Sequence, residues 1–142
     1  MKKKMTLLLT LMFIIGLLSG CGSSSQSKEI ALGLTAPMTG DYAEYGNAFK
    51  NAIELAIEKA NAGGGINGKK LKLVVGDSKA DPKEAANIAQ KFVADSSIQA
   101  VIGDFTSTAA FAGSPIYQKN GLVQLSPTSS HPDFTKGGNF IF

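Results

Sequence analysis

The sequence predicts an α/β fold, a parallel sheet with helices on both faces. Two observations carry that expectation. Short apolar runs alternate with longer segments of helical periodicity, in the order β-α-β-α-β-α-β-loop-β. The loops that leave the carboxyl ends of the strands are rich in hydroxyls. Right-handed crossovers bring those loops to one rim. A strand order of 2-1-3-4-5 sets the first and third strands at the switch point, where such sheets hold ligands.

Ile30 to Leu34 is a short apolar run and reads as the first strand, leaving through Thr35-Ala36-Pro37-Met38-Thr39-Gly40. A helix follows over Tyr45 to Asn61, with Phe49, Ala52, Ile53, Ala56, Ile57 and Ala60 on its inward stripe. Gly63-Gly64-Gly65 stops it and Asn67-Gly68 makes a second turn. Leu71 to Val75 is the second strand, its partial alternation suiting a sheet edge. Asp81-Pro82-Lys83-Glu84 starts the second helix, with Asp81 as N-cap, Pro82 first in the helix and Glu84 as reciprocal cap. That helix runs to Asp95 and turns Ala85, Ile88, Ala89, Phe92 and Val93 inward. Ala100-Val101-Ile102 is the third strand. A helix from Thr108 follows, crosses Pro115 and stops at Asn120-Gly121. Leu122 to Leu125 is the fourth strand, Ser126 to Ser130 its hydroxyl-rich exit, and Asn139 to Phe142 a fifth strand.

The chain of 142 residues has the length of one domain, with 44% hydrophobic and 18% charged residues. Its net charge of +3 resides in Lys2, Lys3 and Lys4; without them 11 lysines face 11 acids. No basic face is visible and no arginine is present, which argues against a nucleic-acid partner.

Residues 1–20 read as a signal peptide. Lys2–Lys4 form the positive start, Leu7 to Leu18 the apolar run, and Leu18-Ser19-Gly20 the small residues before Cys21, the one cysteine. The run falls short of the roughly 20 residues that a membrane span needs. LSGC resembles the lipobox of bacterial lipoproteins, which implies lipidation of Cys21 and anchoring to the cell membrane on its extracytoplasmic side. A plain secretory signal with an incidental cysteine is the other reading. Residues 21–28, GSSSQSK after the cysteine, form a polar tether, and the folded domain begins at Glu29.

The loops contain little that reacts. A serine nucleophile needs a base, and the only histidine, His131, lies in the loop Ser129-Ser130-His131-Pro132. Gly103-Asp104-Phe105-Thr106-Ser107 does not match the nucleophile elbow, and neither dinucleotide nor phosphate-loop patterns occur. One histidine, one cysteine and dispersed carboxylates offer no metal set. Non-covalent recognition fits the residues better. The turn after the third strand feeds a helix N-terminus, where free N–H groups and the hydroxyls of Ser107 and Thr108 can hold a carboxylate. Equally, Thr106, Ser107 or Thr108 can simply cap the helix. Asp104 can face solvent, pair with a lysine or read a cation on a ligand.

Here the chain resembles the substrate-binding proteins of bacterial ABC importers for branched-chain amino acids, of the type 1 periplasmic-binding fold. The residues that carry the likeness are Ile30–Leu34, Pro37-Met38-Thr39-Gly40, Tyr45-Gly46, Ala60 through Leu71, Asp77 with Asp81-Pro82, Val101-Ile102-Gly103 and Leu125-Ser126-Pro127. The resemblance implies a solute held between two lobes, with Ser107 and Thr108 on its carboxylate. Thr128 and Ser130 would meet the ammonium and Tyr45 would pack near the ligand. It also implies an ABC permease as partner, no cofactor and no enzymatic step. Residues 29–142 would be lobe 1 only, incomplete, with the second lobe beyond Phe142. Some relatives join cysteines at the positions of Ala80 and Thr106, a staple this chain lacks, and Asp104 and Ala109-Ala110 depart from the hydroxyl-rich turn of the amino-acid binders. Relatives also bind amides, urea and aromatic acids. Two readings from other classes are a secreted flavodoxin-like hydrolase using Ser107 and His131, and a purely structural surface lipoprotein.

Overall fold

The structure, a computed structural model, describes residues 29–142. The expected signal peptide, Cys21 and the tether lie outside the described residues.

Four strands pair in parallel: β1 (Glu29–Ala36), β2 (Lys70–Asp77), β3 (Ile98–Ile102) and β4 (Val123–Leu125). Their order is β2-β1-β3-β4, so β1 and β3 lie side by side at the expected switch point. The fifth place is filled only in part. Ile141 bridges Gln124 in parallel, with Phe142 N–H on Gln124 O at 2.9 Å and Ser126 N–H on Phe142 O at 2.8 Å. The short β4 and the 3₁₀ turn at Phe134–Gly137 leave a single bridge where the sequence suggested a strand.

The helices are α1 (Ala43–Ala62), α2 (Pro82–Ala94) and α3 (Ser107–Asn120). α2 and α3 pack together on one face, and α1 lies over β2 and β1. The core is on the α2–α3 side, where Ala31, Val101, Ile88, Ala89, Phe92, Tyr117 and Ile141 are buried together. A Cβ at Gly33 would stand 2.7 Å from the Phe92 ring, so the missing side chain lets α2 approach β1.

α1 departs from its expected burial. Gly46 is its buried residue, Phe49, Ile53, Ile57 and Ala60 are half-covered, and Ala52 and Ala56 are exposed. The cause is placement: α1 covers β2 and β1, leaving an apolar groove between Phe49, Ala52 and Ile53 and the residues Ile102 and Pro127.

The second helix begins as expected on Asp81, whose carboxylate accepts the Glu84 N–H at 2.9 Å, with Pro82 in the first turn. The reciprocal half of the cap does not form, because the Asp81 N–H is already given to Ser78 O at 2.8 Å. α3 continues through Pro115 and ends on Gly121 at φ 67°, where Leu122 N–H reaches back to Tyr117 O at 3.0 Å.

Candidate functional site

The turn between β3 and α3 is built from both neighbouring strands. A side chain at Gly103, φ 123°, would run into the Thr35 carbonyl of β1, so only glycine lets the turn lie this close. Asp104 follows and is fully buried. Its carboxylate accepts Thr35 Oγ1–H at 2.9 Å and Phe105 N–H at 2.7 Å. None of the roles left open for Asp104 is the one it has: it faces inward and organises its own turn.

The exit of β4 ties the turn from the other side. Ser126 Oγ donates to Asp104 O at 2.9 Å and Thr128 Oγ1 donates to Phe105 O at 2.8 Å. Ser126 Oγ also accepts the Ser129 N–H at 3.2 Å. Deeper down, Gln124 Nε2 donates to Gly103 O at 3.1 Å, and Ser114 Oγ lies 2.7 Å from Gln124 Oε1. Phe105 is therefore held at its N–H and its C=O by residues of the rim.

Its ring, which the sequence did not flag, is the centre of an aromatic group. Tyr45 stacks on Phe105 at 4.6 Å and 16°, Tyr42 meets it tilted at 5.3 Å, and Phe49 at 6.1 Å. Both tyrosines remain nearly half exposed. The one signal available was an aromatic residue standing alone among hydroxyls in a strand-exit turn.

Two residues on, α3 starts. Thr106 is its N-cap, accepting Ala109 N–H at 3.2 Å, so the capping role falls to that residue alone. Ser107, half-buried, and Thr108, exposed, occupy the first turn. Among the described residues their hydroxyls and main-chain N–H groups have no hydrogen-bond partner. The result is a set of unengaged donors at the positive end of a fourteen-residue helix.

Tyr45 is thus brought against the residue two before Ser107, and Thr128 is bonded to that same residue. No hydrogen bond joins Ser130 to Ser107, but Ser130 lies in sequence between two anchored residues. Thr128 holds Phe105, and His131 sets its ring edge-on to Phe111 at 5.2 Å, one helical turn beyond Ser107. The Thr128 carbonyl and the Ser130 hydroxyl are unpaired among the described residues. His131 Nδ1 accepts the Asp133 N–H at 3.2 Å, and no hydrogen bond joins it to Ser107. Among the described residues no group of His, Cys, Asp and Glu could hold a metal ion.

The far wall of the rim is the loop before α1. Asp77, at the end of β2, accepts Met38 N–H at 2.9 Å, Thr39 N–H at 3.4 Å, Thr39 Oγ1–H at 2.6 Å and Lys79 N–H at 3.0 Å. Partial burial pushes its carboxyl up, but the Thr39 hydroxyl and the three main-chain donors outweigh that and hold it below its usual range.

Comparison with known proteins matches residues 29–142 to the family described as periplasmic binding protein. The Leu/Ile/Val-binding protein homolog 2 of Brucella abortus is 42% identical over 108 residues, covering 76% of this chain and 29% of that protein. The crystal structure of the branched-chain amino acid transporter substrate-binding protein LivJ from Streptococcus pneumoniae, in complex with isoleucine, superposes with a TM-score of 0.76. It is 34% identical, and the match covers 80% of this chain and 33% of that one. The ABC transporter substrate-binding protein from Desulfitobacterium hafniense in complex with Leu gives 0.70 at 39% identity, over 78% and 32% of the two chains. The chain spans about a third of the length of these relatives. The chain belongs to the periplasmic binding protein family.

Proposed function

We propose that residues 29–142 are the first lobe of an extracytoplasmic solute-binding protein that serves an ABC importer. The solute is a branched-chain or related amino acid, or a small organic acid of similar size. Its carboxylate sits on the N–H groups and hydroxyls of Ser107 and Thr108. Its ammonium meets the Thr128 carbonyl and the Ser130 hydroxyl. Its apolar part lies toward Tyr45. A second lobe closes over it by a hinge, and the closed form docks on the permease. Lipidation of Cys21, after removal of residues 1–20, anchors the protein to the membrane through the tether of residues 21–28.

The observation that carries this reading is the unengaged donor set at the start of α3, beside an aromatic wall and without a base. The likeness to solved substrate-binding proteins in complex with isoleucine and with Leu supports it. A hydrolase using Ser107 would need His131 within hydrogen-bond reach, and that histidine is instead engaged by Asp133 and Phe111.

The test is titration calorimetry of the full-length protein with leucine, isoleucine, valine and 4-hydroxybenzoate. At least one should bind. S107A should weaken that affinity about tenfold, the worth of a hydrogen bond to a charged group, while H131A should leave it unchanged. No heat with any of the four, or an S107A variant that binds as well as the parent, refutes the assignment.

A further inference from the structure

We propose that Asp77 is a positioning residue for the aromatic wall of this rim: its carboxylate holds the Met38–Thr39 loop, and through it Tyr42 and Tyr45, against Phe105. The inference rests on the reading of the rim as a solute site.

The argument begins with how α1 starts. Its N-cap is Tyr42, which makes no side-chain cap, and the first turn is entered through Ala43 N–H on Gly40 O at 3.1 Å. No side-chain hydrogen bond caps the helix at that end, so apart from the ring contacts with Phe105 its position follows from the loop before it. The side-chain hydrogen bonds that hold this loop converge on one residue. Met38 N–H and Thr39 N–H meet Asp77 Oδ1, and the Thr39 hydroxyl meets Oδ2.

Asp77 is itself fixed. It pairs with Ala36 in the β1–β2 register, Ser78 N–H bonds to Ala36 O at 3.0 Å, and Lys79 N–H closes on the carboxylate. On its other side the loop is pressed by α1. A Cβ at Gly46 would overlap the Pro37 carbonyl, so helix and loop main chains touch directly. A shift of the loop therefore passes straight to Tyr45, the residue before Gly46. The donor set at Ser107 does not depend on Asp77. It stands on Thr35, Asp104, Ser126 and Thr128, none of which shares a hydrogen bond with Asp77. Removing the carboxylate should loosen one half of the site and spare the other.

The experiment compares leucine with alanine on the full-length protein, two zwitterions that differ only in apolar bulk. D77A should weaken leucine about tenfold and leave alanine within about twofold, as expected when an aromatic contact is lost. S107A should weaken both in the same proportion. D77N, which keeps Oδ1 as acceptor for Met38 and Lys79, should restore most of the leucine affinity. Nuclear Overhauser contacts between the Tyr45 and Phe105 rings should vanish in D77A and return in D77N. Should D77A not fold, T39A takes its place, with leucine weakened about threefold and alanine unchanged.

The proposal is overturned if the ring contacts survive in folded D77A, or if leucine and alanine fall together. A parent protein that binds neither amino acid refutes the aliphatic amino-acid reading instead, and the ring contacts then decide the role of Asp77 alone.

Discussion

Asp104 has no access to solvent, and its oxygens take the Thr35 hydroxyl and the Phe105 N–H. A buried carboxylate is tolerable only with such partners. Nothing near it in sequence announces this, because Thr35 lies 69 residues away. The hydroxyls at Ser107, Thr108, Thr128 and Ser130 were legible by type and by position at strand ends. Phe105, whose carbonyl takes the Thr128 hydroxyl, was not, since its role depends on Tyr45 arriving from α1. Tyr117 is a third case. Its ring is fully buried and its hydroxyl has no partner among the described residues, while burial and the charge of Asp104 both push its ionisation upward. Tyr117→Phe keeps the ring and deletes the unpaired donor, so urea denaturation should show a gain of about 1 kcal/mol. A loss of that size would mean the hydroxyl has a partner.

The elements differ in how openly they declare themselves. α2 was readable from Asp81-Pro82 and its inward stripe, because cap and core point the same way: Ala85, Ile88, Ala89 and Phe92 are all buried. The missing reciprocal cap reflects competition, since Ser78 O takes the Asp81 N–H first. α1 has an equally clear stripe but covers only β1 and β2, so periodicity gave its face and not its depth. Close packing of α2 on β1 depends on Gly33. Gly33→Ala would place a methyl 2.7 Å from the Phe92 ring and 3.3 Å from Val101. That overpacking should lower stability by about 1–3 kcal/mol in urea melts. A neutral result would show that α2 can move away freely.

At the scale of the molecule, burial is lopsided. The core gathers β1, β3, α2 and α3, while α1 contributes one buried glycine. Amide hydrogen exchange should follow that division, with α1 exchanging about tenfold or more faster than α3. Equal protection would show that α1 opens only with the rest. The parallel sheet and its order were legible because alternating strands and helices admit few connections. The fifth position was legible in place but not in extent, since only Ile141 pairs there. The bonds from Ser126 and Thr128 to the β3–α3 turn have a further consequence. They are made within the chain itself and fix the main chain of Asp104 and Phe105, which leads into the first turn of α3. Under the proposed reading, a solute reaching Ser107 and Thr108 would meet a turn already braced by its own chain, which favours fast association over slow remodelling.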